Sequence, residues 1–231
     1  MHRESLIMHN KRMLTEEAYQ KVKSMIFDQE LTPGQKLTYG ELSKTFNMSP
    51  TPVINALHRL EHEGMVVSAP YKGFYVKRIG SQEAWDLFGV REALETYVVE
   101  QVISVADPEE MLLLEEKMLE HASYKPRTYD RKRFMLDAKF HIQLASMSKN
   151  QVLTRQLSTL FEHFYMRFKF DTVPLDRLKS STDEHRNIID RIKRKDTNGS
   201  RDAMRIHVQN ARNHIIQIVS YEHIPDQASF Q

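Results

Sequence analysis

Four polar side chains in the second half of the chain fall on helical faces that are otherwise apolar. Asp137 and His141 are four residues apart, the spacing of neighbours on one face of a helix, and apolar residues flank them on that face. His185 and His207 lie on similar apolar stripes of two later helices. Three imidazoles and a carboxylate that meet in a core suit a divalent ion, with zinc as the first candidate and nickel or manganese as alternatives. Hydrogen-bonded core histidines remain the competing interpretation of the same pattern.

The composition limits the remaining chemistry. The 231 residues include no cysteine, which excludes disulfides and thiolate metal ligands. No apolar run reaches the roughly 18 residues that cross a bilayer, so we expect no membrane partner and a cytoplasmic location. Residues 1–79 hold 11 Lys and Arg against 8 Asp and Glu, a net charge of +3. This surplus is mild, but its sign is the one expected of a segment that binds nucleic acid.

Three helices are predicted in the N-terminal part of the chain. An amphipathic pattern predicts the first over residues 15–27. Thr38 and Glu41 have the spacing of a capping box, which opens a short second helix. Ser49 is a good N-cap for a third helix, and Pro50 fits its first position. Two helices joined by a tight turn form a helix-turn-helix, in which the start of the second helix faces base edges in the major groove.

A hairpin is predicted to follow these helices. Residues 65–68 and 73–76 have the pattern of two strands, and the turn between them contains Lys72, which could meet a phosphate. Helices and hairpin together are typical of a winged helix-turn-helix that binds DNA, and a small protein-binding module is the alternative. We therefore expect an N-terminal arm over residues 1–14 and the winged domain over residues 15–79.

The chain after residue 79 is predicted to be helical nearly throughout. Gly80 ends the strand pattern, Ser81 can cap the next helix, and Asp107 with Pro108 opens another. Six helices are expected, over about 81–105, from 107, and over about 129–147, 150–170, 181–195 and 200–221. The expected fold class is therefore mainly α, in which a winged helix-turn-helix precedes an all-α antiparallel helical bundle over residues 80–231.

One long run of the N-terminal module, PGQKLTYGELSKTFNMSPTPVINALHRLEHEGMVVSAPYKGFYV, resembles the DNA-binding domain of the GntR family. The resemblance covers nearly the whole module and implies binding to double-stranded operator DNA. Three positions that are commonly basic in the family are Gly40, Pro50 and Ile54 in this chain. Base readout must therefore rest on other groups, and the operator is expected to differ from the common one.

Seven polar residues are candidates for contacts with DNA. They are Ser49, Thr51, Asn55, His58 and Arg59 on the third helix, with Lys44 and Lys72 on phosphates. Asn55 has the amide that pairs with adenine through two hydrogen bonds. A merely solvated helix face is the alternative for Asn55 and His58.

The C-terminal bundle resembles the FCD effector domain of FadR-like regulators, in its shorter VanR-like form with six helices. The matching segments are LFGVREALE, DAKFH with S-x-x-N after it, and DEHRNIID, with Asp196 and His207 at the spacing of the last segment. The metal ligands of the family fall on Asp137, His141, His185 and His207. The resemblance also implies a small carboxylate effector beside the metal.

Further residues are indicated for that effector. Arg91 and Glu95 match the R-x-x-x-E of the family, and Arg91 either clamps a carboxylate or simply pairs with Glu95. Arg167 and His214 are the other candidates. The remaining histidines of this domain, His121, His163 and His223, are expected at the surface or in structural roles.

The expected function is that of a transcription repressor that releases DNA when a small organic acid binds beside the metal. A homodimer is expected because paired recognition helices fit a palindromic operator. A metal-dependent enzyme that uses an activated water is the rival from another class, although no catalytic residue is assigned. A regulator that senses the metal itself, or holds it only for structure, stays open as well.

Overall fold

The computed structural model describes residues 2–126, 130–168 and 177–221 of the chain. The helices and strands within these residues are α1 His2–Phe27, β1 Lys36–Leu37, α2 Tyr39–Phe46, α3 Pro50–His62, β2 Val66–Ala69, β3 Gly73–Val76, α4 Ser81–Val105, α5 Pro108–Ser123, α6 Arg131–Met147, α7 Gln151–Arg167, α8 Arg177–Lys193 and α9 Thr197–Tyr221. The expected fold class is confirmed, since a small winged helix-turn-helix precedes a set of long helices.

The first compact unit contains α1 to α3 and the sheet. It comprises the described residues up to Arg78, together with Met166–Phe168. Its core is formed by apolar faces of α1 and α3, with the fully buried side chains of Ala18, Val22, Ile26, Val53, Ala56, Leu57 and Leu60. The strands form an antiparallel sheet in the order β1-β3-β2, in which Val66 lies opposite Val76.

Three details of this unit differ from the expectations. Helix α1 begins at His2 instead of Thr15, because residues 2–14 contain no proline or glycine that would stop a helix. Strand β1 is absent from the prediction because two residues are too few to show an alternating pattern. Thr38 is the N-cap of α2, but its hydroxyl makes no capping hydrogen bond. Since Thr38 is exposed, water can satisfy the free donors of the first turn instead.

The second compact unit contains the remaining helices, α4 to α9. Helix α4 packs along α9 and also contacts α6 and α8, while α5 packs against α6 and α8. Six helices among the described residues of this unit agree with the six-helix form of the bundle. None of the helices in the described ranges is long and apolar enough to cross a lipid bilayer.

The helix starts of this unit follow from local capping. Asp107 caps α5 as expected, and it forms a full capping box with Glu110. Helix α9 begins at Thr197, three residues earlier than expected, because Asp196 accepts a hydrogen bond from the backbone N–H of Gly199 at 2.9 Å. A Cβ at Gly199 would lie only 2.0 Å from Asp196 Oδ2, so glycine fits this tight first turn.

Candidate metal centre and nucleic-acid interface

Three helices of the second unit bring four polar side chains to one point. Helix α6 carries Asp137 and His141, α8 carries His185, and α9 carries His207. Each residue offers one donor atom, and the four atoms lie within 4.8 Å of one another. The three histidines are at most 1% exposed. From three helices, the structure therefore brings together the four residues that the sequence analysis singled out, in one cluster that could hold a metal ion.

The spacing of the donor atoms suits a metal. His185 Nε2 lies 3.4 Å from Asp137 Oδ1, and His141 Nε2 lies 3.7 Å from Asp137 Oδ2. His207 Nε2 lies 3.1 Å from His141 Nε2. In a tetrahedral zinc site with bonds of 2.0–2.1 Å, neighbouring ligand atoms are about 3.3 Å apart. These three separations fall around this value, and all the donor atoms lie within 4.8 Å of one another, so the residues present fit a divalent ion.

Carboxylates hold two of the imidazole rings from behind. His141 Nδ1 contacts Glu95 Oε2, and His207 Nδ1 lies 2.7 Å from Glu184 Oε2. Asn210 Nδ2 donates to the other oxygen of Glu184 at 2.8 Å. A carboxylate at Nδ1 fixes the ring orientation and directs the Nε2 lone pair towards a metal. Metal-binding histidines in general have such partners, so these contacts support the same reading of the cluster.

His185 has no hydrogen-bond partner at either ring nitrogen among the described residues. The ring is completely buried and stacks on Phe140, with centroids 4.1 Å apart. A buried polar atom without a partner costs about 1–3 kcal/mol. A metal bound at Nε2 would remove part of this cost, which is the second observation that fits a metal site.

The pKa shifts of His185, His207 and Asp137 favour the forms of these groups that bind a metal. Burial lowers the pKa of His185 well below its ordinary value. Burial also lowers the pKa of His207, although its contact with Glu184 opposes the shift. The pKa of Asp137 would be raised by burial, but the nearby histidines and Arg91 outweigh this effect and lower it. Neutral imidazoles and an ionised carboxylate are the forms that bind a divalent ion.

Arg91 and Glu95 lie directly against the cluster. Both side chains are buried, and Arg91 Nε donates to Glu95 Oε1 at 2.5 Å. Arg91 Nη2 lies 2.7 Å from His141 Nε2 and 3.9 Å from Asp137 Oδ2. The guanidinium also covers the ring of Phe161 at 4.8 Å. One edge of the guanidinium therefore pairs with Glu95 while the other lies against His141 and Asp137.

A cavity of about 50 Å³ opens beside these groups. Its polar lining is supplied by Arg91, His121, Asp137, Ser181, His207 and His214. Apolar side chains such as Phe88 and Phe134 form the remaining wall. This volume holds only a few water molecules or the polar atoms of a small ligand.

His121 on α5 lies at the same site, although the sequence analysis assigned it to the surface or to a structural role. It is 1% exposed, and its Nε2 lies 3.6 Å from Asp137 Oδ1. Burial, the largest effect, lowers its pKa to about 4. The signal was available, because Leu114, Met118 and His121 share one face at helical spacing. Glu184 carried no such signal, since its role depends on a partner in another helix.

The other predicted effector residues differ in position. His214 lines the cavity from α9. Arg167 is buried in the first unit, where its Nη2 donates to the carbonyl oxygen of Arg78 at 3.4 Å, and it is not among the residues that line the cavity. His163 is half-buried on α7, and His223 lies outside the described residues.

The first unit exposes a polar surface around the start of α3. Ser49 is the N-cap of α3, and Thr51 and Asn55 follow it with exposed side chains. Lys44 is exposed on α2, and Lys72 is exposed in the turn between β2 and β3. These five residues lie on the recognition helix, the preceding helix and the wing, which are the parts of a winged helix that meet DNA.

Arg59 and His58 make contacts within the domain instead of pointing only to solvent. Arg59 Nη1 donates to Glu16 Oε2 at 2.5 Å, and its guanidinium lies 3.7 Å from the ring centroid of Tyr19. These contacts link α3 to α1. The His58 ring lies edge-on to Phe74 with centroids 5.1 Å apart, and its Nδ1 is 3.1 Å from Glu61 Oε2.

Glu61 connects the recognition helix to the wing. Its Oε1 accepts hydrogen bonds from the backbone N–H of Ser68, at 3.0 Å, and from the hydroxyl of the same residue. With His58 on its other oxygen, Glu61 links α3 to strand β2.

Comparisons with known proteins match both units. The family model described as "FCD domain" matches residues 86–210. The model described as "Bacterial regulatory proteins, gntR family" matches residues 14–76.

Individual relatives agree with these matches. The chain is 27% identical over 206 residues to the uncharacterized HTH-type transcriptional regulator YdhC of Bacillus subtilis, covering 87% of this chain and 90% of that protein. It is 25% identical over 192 residues to the HTH-type transcriptional repressor RspR of Escherichia coli, covering 81% and 82%. Among solved structures, E. coli McbR/YncC has the same fold, with a TM-score of 0.67 and 19% identity over 91% of this chain and 99% of that one.

Proposed function

This chain belongs to the GntR family of bacterial regulatory proteins and carries an FCD domain, and on that premise we propose that it is an effector-controlled repressor. It is a DNA-binding transcription regulator, as its named relatives are. In our proposal a small carboxylate binds beside a divalent metal in the C-terminal domain. Occupation of that site favours a conformation with lower affinity for operator DNA.

The buried cluster of Asp137, His141, His185 and His207 is the observation that carries the proposal. These four residues would hold the metal, and nitrogen donors with one oxygen favour zinc over harder ions. A bound ion would supply positive charge beside the cavity, which would attract an anionic oxygen.

Arg91 would hold the effector carboxylate. Its Nη2 edge faces the cluster and the cavity, while Glu95 anchors its Nε. A guanidinium held in this way is preorganised to bind a carboxylate through charged hydrogen bonds. Because the cavity is small, the ligand would be a short acid, and His214 would contact it from α9.

On DNA, the proposed contacts come from the exposed surface of the first unit. Thr51 and Asn55 would read base edges from the first turns of α3, and Ser49, Lys44 and Lys72 would bind phosphates. Arg59 and His58 would position α3 and the wing through their contacts with Glu16 and Glu61. We propose a homodimer, since two copies of α3 would then match two half-sites.

An Asn55→Ala variant is expected to lose sequence discrimination. Loss of a bidentate base contact weakens binding on the order of tenfold to a hundredfold at one base position, with an unchanged salt dependence. Lys72→Ala is expected to weaken binding to all sequences and to reduce the slope of log K against log salt by about 1. Fluorescence anisotropy with duplexes selected by the wild type, at several KCl concentrations, measures both quantities.

The matched control for this experiment is Asn187→Ala, which removes an exposed asparagine from α8 in the other unit. It is expected to bind like the wild type. If Asn55→Ala weakens binding equally to every duplex, Asn55 does not read a base and the assignment of α3 is wrong at that position.

The effector hypothesis is tested by operator binding with and without metal. Metal-loaded and chelator-treated wild type are titrated with the selected duplex in the presence of acetate, glycolate, lactate, malonate or citrate. At least one acid is expected to lower the affinity of the loaded protein by about 5- to 150-fold, and none should affect the stripped protein. Affinity that follows metal alone would indicate a metal sensor, and affinity that follows neither would leave the metal with a structural role. Both results would contradict the proposal.

A further inference from the structure

One face of the recognition helix α3 exposes a mixture of polar and aliphatic side chains. Thr51, Asn55 and His58 are exposed, and Ile54 beside them is partly exposed. Ile54, Asn55 and His58 follow Thr51 at intervals of three, four and seven residues, so the four share one face of the helix. The opposite face is buried in the core of the first unit. The exposed face is therefore the part of α3 that can meet base edges in a major groove.

Arg59 is the only arginine or lysine in the sequence of α3, and contacts within the domain hold its side chain. Its Nη1 donates to Glu16 Oε2 at 2.5 Å, and its Nε donates to Glu63 Oε1 at 3.2 Å. The guanidinium also lies 3.7 Å from the ring centroid of Tyr19. Arginine and lysine are the residues that most commonly read guanine, through its O6 and N7 atoms. Arg59 would have to leave both carboxylates and the ring of Tyr19 before it could do so.

His58 is restrained as well. Its Nδ1 lies 3.1 Å from Glu61 Oε2, and its ring packs edge-on against Phe74. In a neutral ring with the hydrogen directed at Glu61, Nε2 is an acceptor, which suits the amino group of adenine or cytosine and not the acceptors of guanine. The exposed lysines Lys44 and Lys72 belong to α2 and to the hairpin turn, where the proposed function assigns them to phosphates.

The groups that remain on this face match an A·T pair. The amide of Asn55 can donate to N7 of adenine and accept from its N6 amino group. Thymine presents a 5-methyl group in the major groove, and aliphatic carbons bind this group by apolar contact. Ile54 and the methyl group of Thr51 supply such carbons beside Asn55. Contact with thymine would remove the exposed part of Ile54 from water, which is favourable.

We propose that α3 reads A·T pairs in the core of each half-site and that Ile54 is a specificity-determining residue that contacts a thymine methyl group. The inference deepens the proposed function and rests on its assignment of α3 as the reading helix. Asn55 recognises adenine, and Ile54, with Thr51 beside it, recognises thymine in a neighbouring base pair.

Deoxyuridine is the matched probe, because it differs from thymidine only by the missing 5-methyl group. The full-length wild type first selects duplexes from a random pool, and the selected core is expected to consist mainly of A·T pairs. Each thymine of that core is then replaced in turn by deoxyuridine, and affinities are measured by fluorescence anisotropy. At least one replacement is expected to weaken wild-type binding about fourfold, as for the lost burial of one methyl group.

Ile54→Ala and Ile54→Gln remove the aliphatic partner in two different ways. For both variants, the replacement that weakens wild-type binding is expected to change the affinity by less than about twofold. Ile206→Ala removes an exposed isoleucine of α9 in the other unit and should show the wild-type response to deoxyuridine. Melting temperatures identify a variant that fails to fold, and the wild-type measurement needs no substitution in the protein.

Three results would overturn the inference and leave operator binding intact. They are a selected core of G·C pairs, a wild type that binds every deoxyuridine duplex as tightly as the thymine duplex, and folded Ile54 variants that keep the fourfold effect. If the wild type selects no sequence from the pool, the proposed binding to a specific operator itself fails.

Discussion

The His185→Ala protein is expected to purify without bound metal, whereas the wild type should carry close to one divalent ion per chain. His185 is fully buried, its Nε2 faces Asp137, and no protein group within the described residues hydrogen-bonds either ring nitrogen. Loss of even an outer partner of a metal ligand costs about 10- to 100-fold in affinity, so removal of a ligand should cost at least as much. Elemental analysis after dialysis against a weak chelator gives the occupancy.

Thermal unfolding provides a second readout for the same variant. An ion present at a thousand times its dissociation constant stabilises a folded protein by about 4 kcal/mol, so added zinc should raise the melting temperature of the wild type and leave that of the variant unchanged. His163→Ala, which removes a half-buried histidine of α7 outside the cluster, is the matched control and should behave like the wild type. A His185→Ala protein that retains stoichiometric metal would show that His185 is not needed to hold the ion.

Arg91→Met is expected to destabilise the C-terminal domain by about 3–5 kcal/mol, because it leaves the buried Glu95 without its cation. Burial alone would raise the pKa of Glu95, yet the charge of Arg91 and the contact with His141 lower it to about 2. Without Arg91 the carboxylate must take up a proton or remain buried and poorly compensated. Urea unfolding of metal-free protein at neutral pH measures the loss.

The double variant Arg91→Met/Glu95→Met is the control that separates charge from packing. Replacement of both partners by apolar side chains should restore part of the stability lost in the single variant, since no unpaired charge remains. The wild type should also lose stability as the pH falls from about 4.5 towards 2, since Glu95 is protonated more readily in the unfolded chain. A single variant as stable as the wild type would mean that Glu95 is adequately solvated without Arg91.

Much of the site was predictable because periodicity reports burial. Asp137 and His141, four residues apart on an apolar face, had to point into a core, and the same holds for His185 and His207. These residues meet at one point because α6, α8 and α9 pack together, and residue spacing within a single helix cannot predict that packing. The family resemblance supplied that step, and the distances between donor atoms now support it.

The residues that escaped prediction depend on neighbours from other elements. His121 shares an apolar face with Leu114 and Met118, but a lone histidine on such a face is commonly a core residue. Its place at the candidate site becomes clear only from its position beside Asp137 in the structure. Glu184 acts through His207 of α9, and Arg59 is held by Glu16 of α1, so both roles require the packed structure.

Helix starts were also predictable only where the capping residues lie close together in the sequence. Asp107 and Glu110 satisfy each other within four residues, so α5 begins where the sequence indicates. Gly199 has the composition of a loop, but Asp196 caps the turn that contains it and α9 starts earlier. Whether Gly199 lies in a loop or in the first turn of α9 depends on the backbone geometry at Asp196, which the residue pattern alone does not give.

The wide separation of the proposed metal ligands along the chain has a consequence for the order of events on the ribosome. His141 and His207 are 66 residues apart, and α1 to α3 precede both of them. Since domains generally fold from the N-terminus during synthesis, the DNA-binding helices emerge while the last ligand is still untranslated. A newly made chain therefore completes its helix-turn-helix before the last residue of the proposed metal site, His207, has been added.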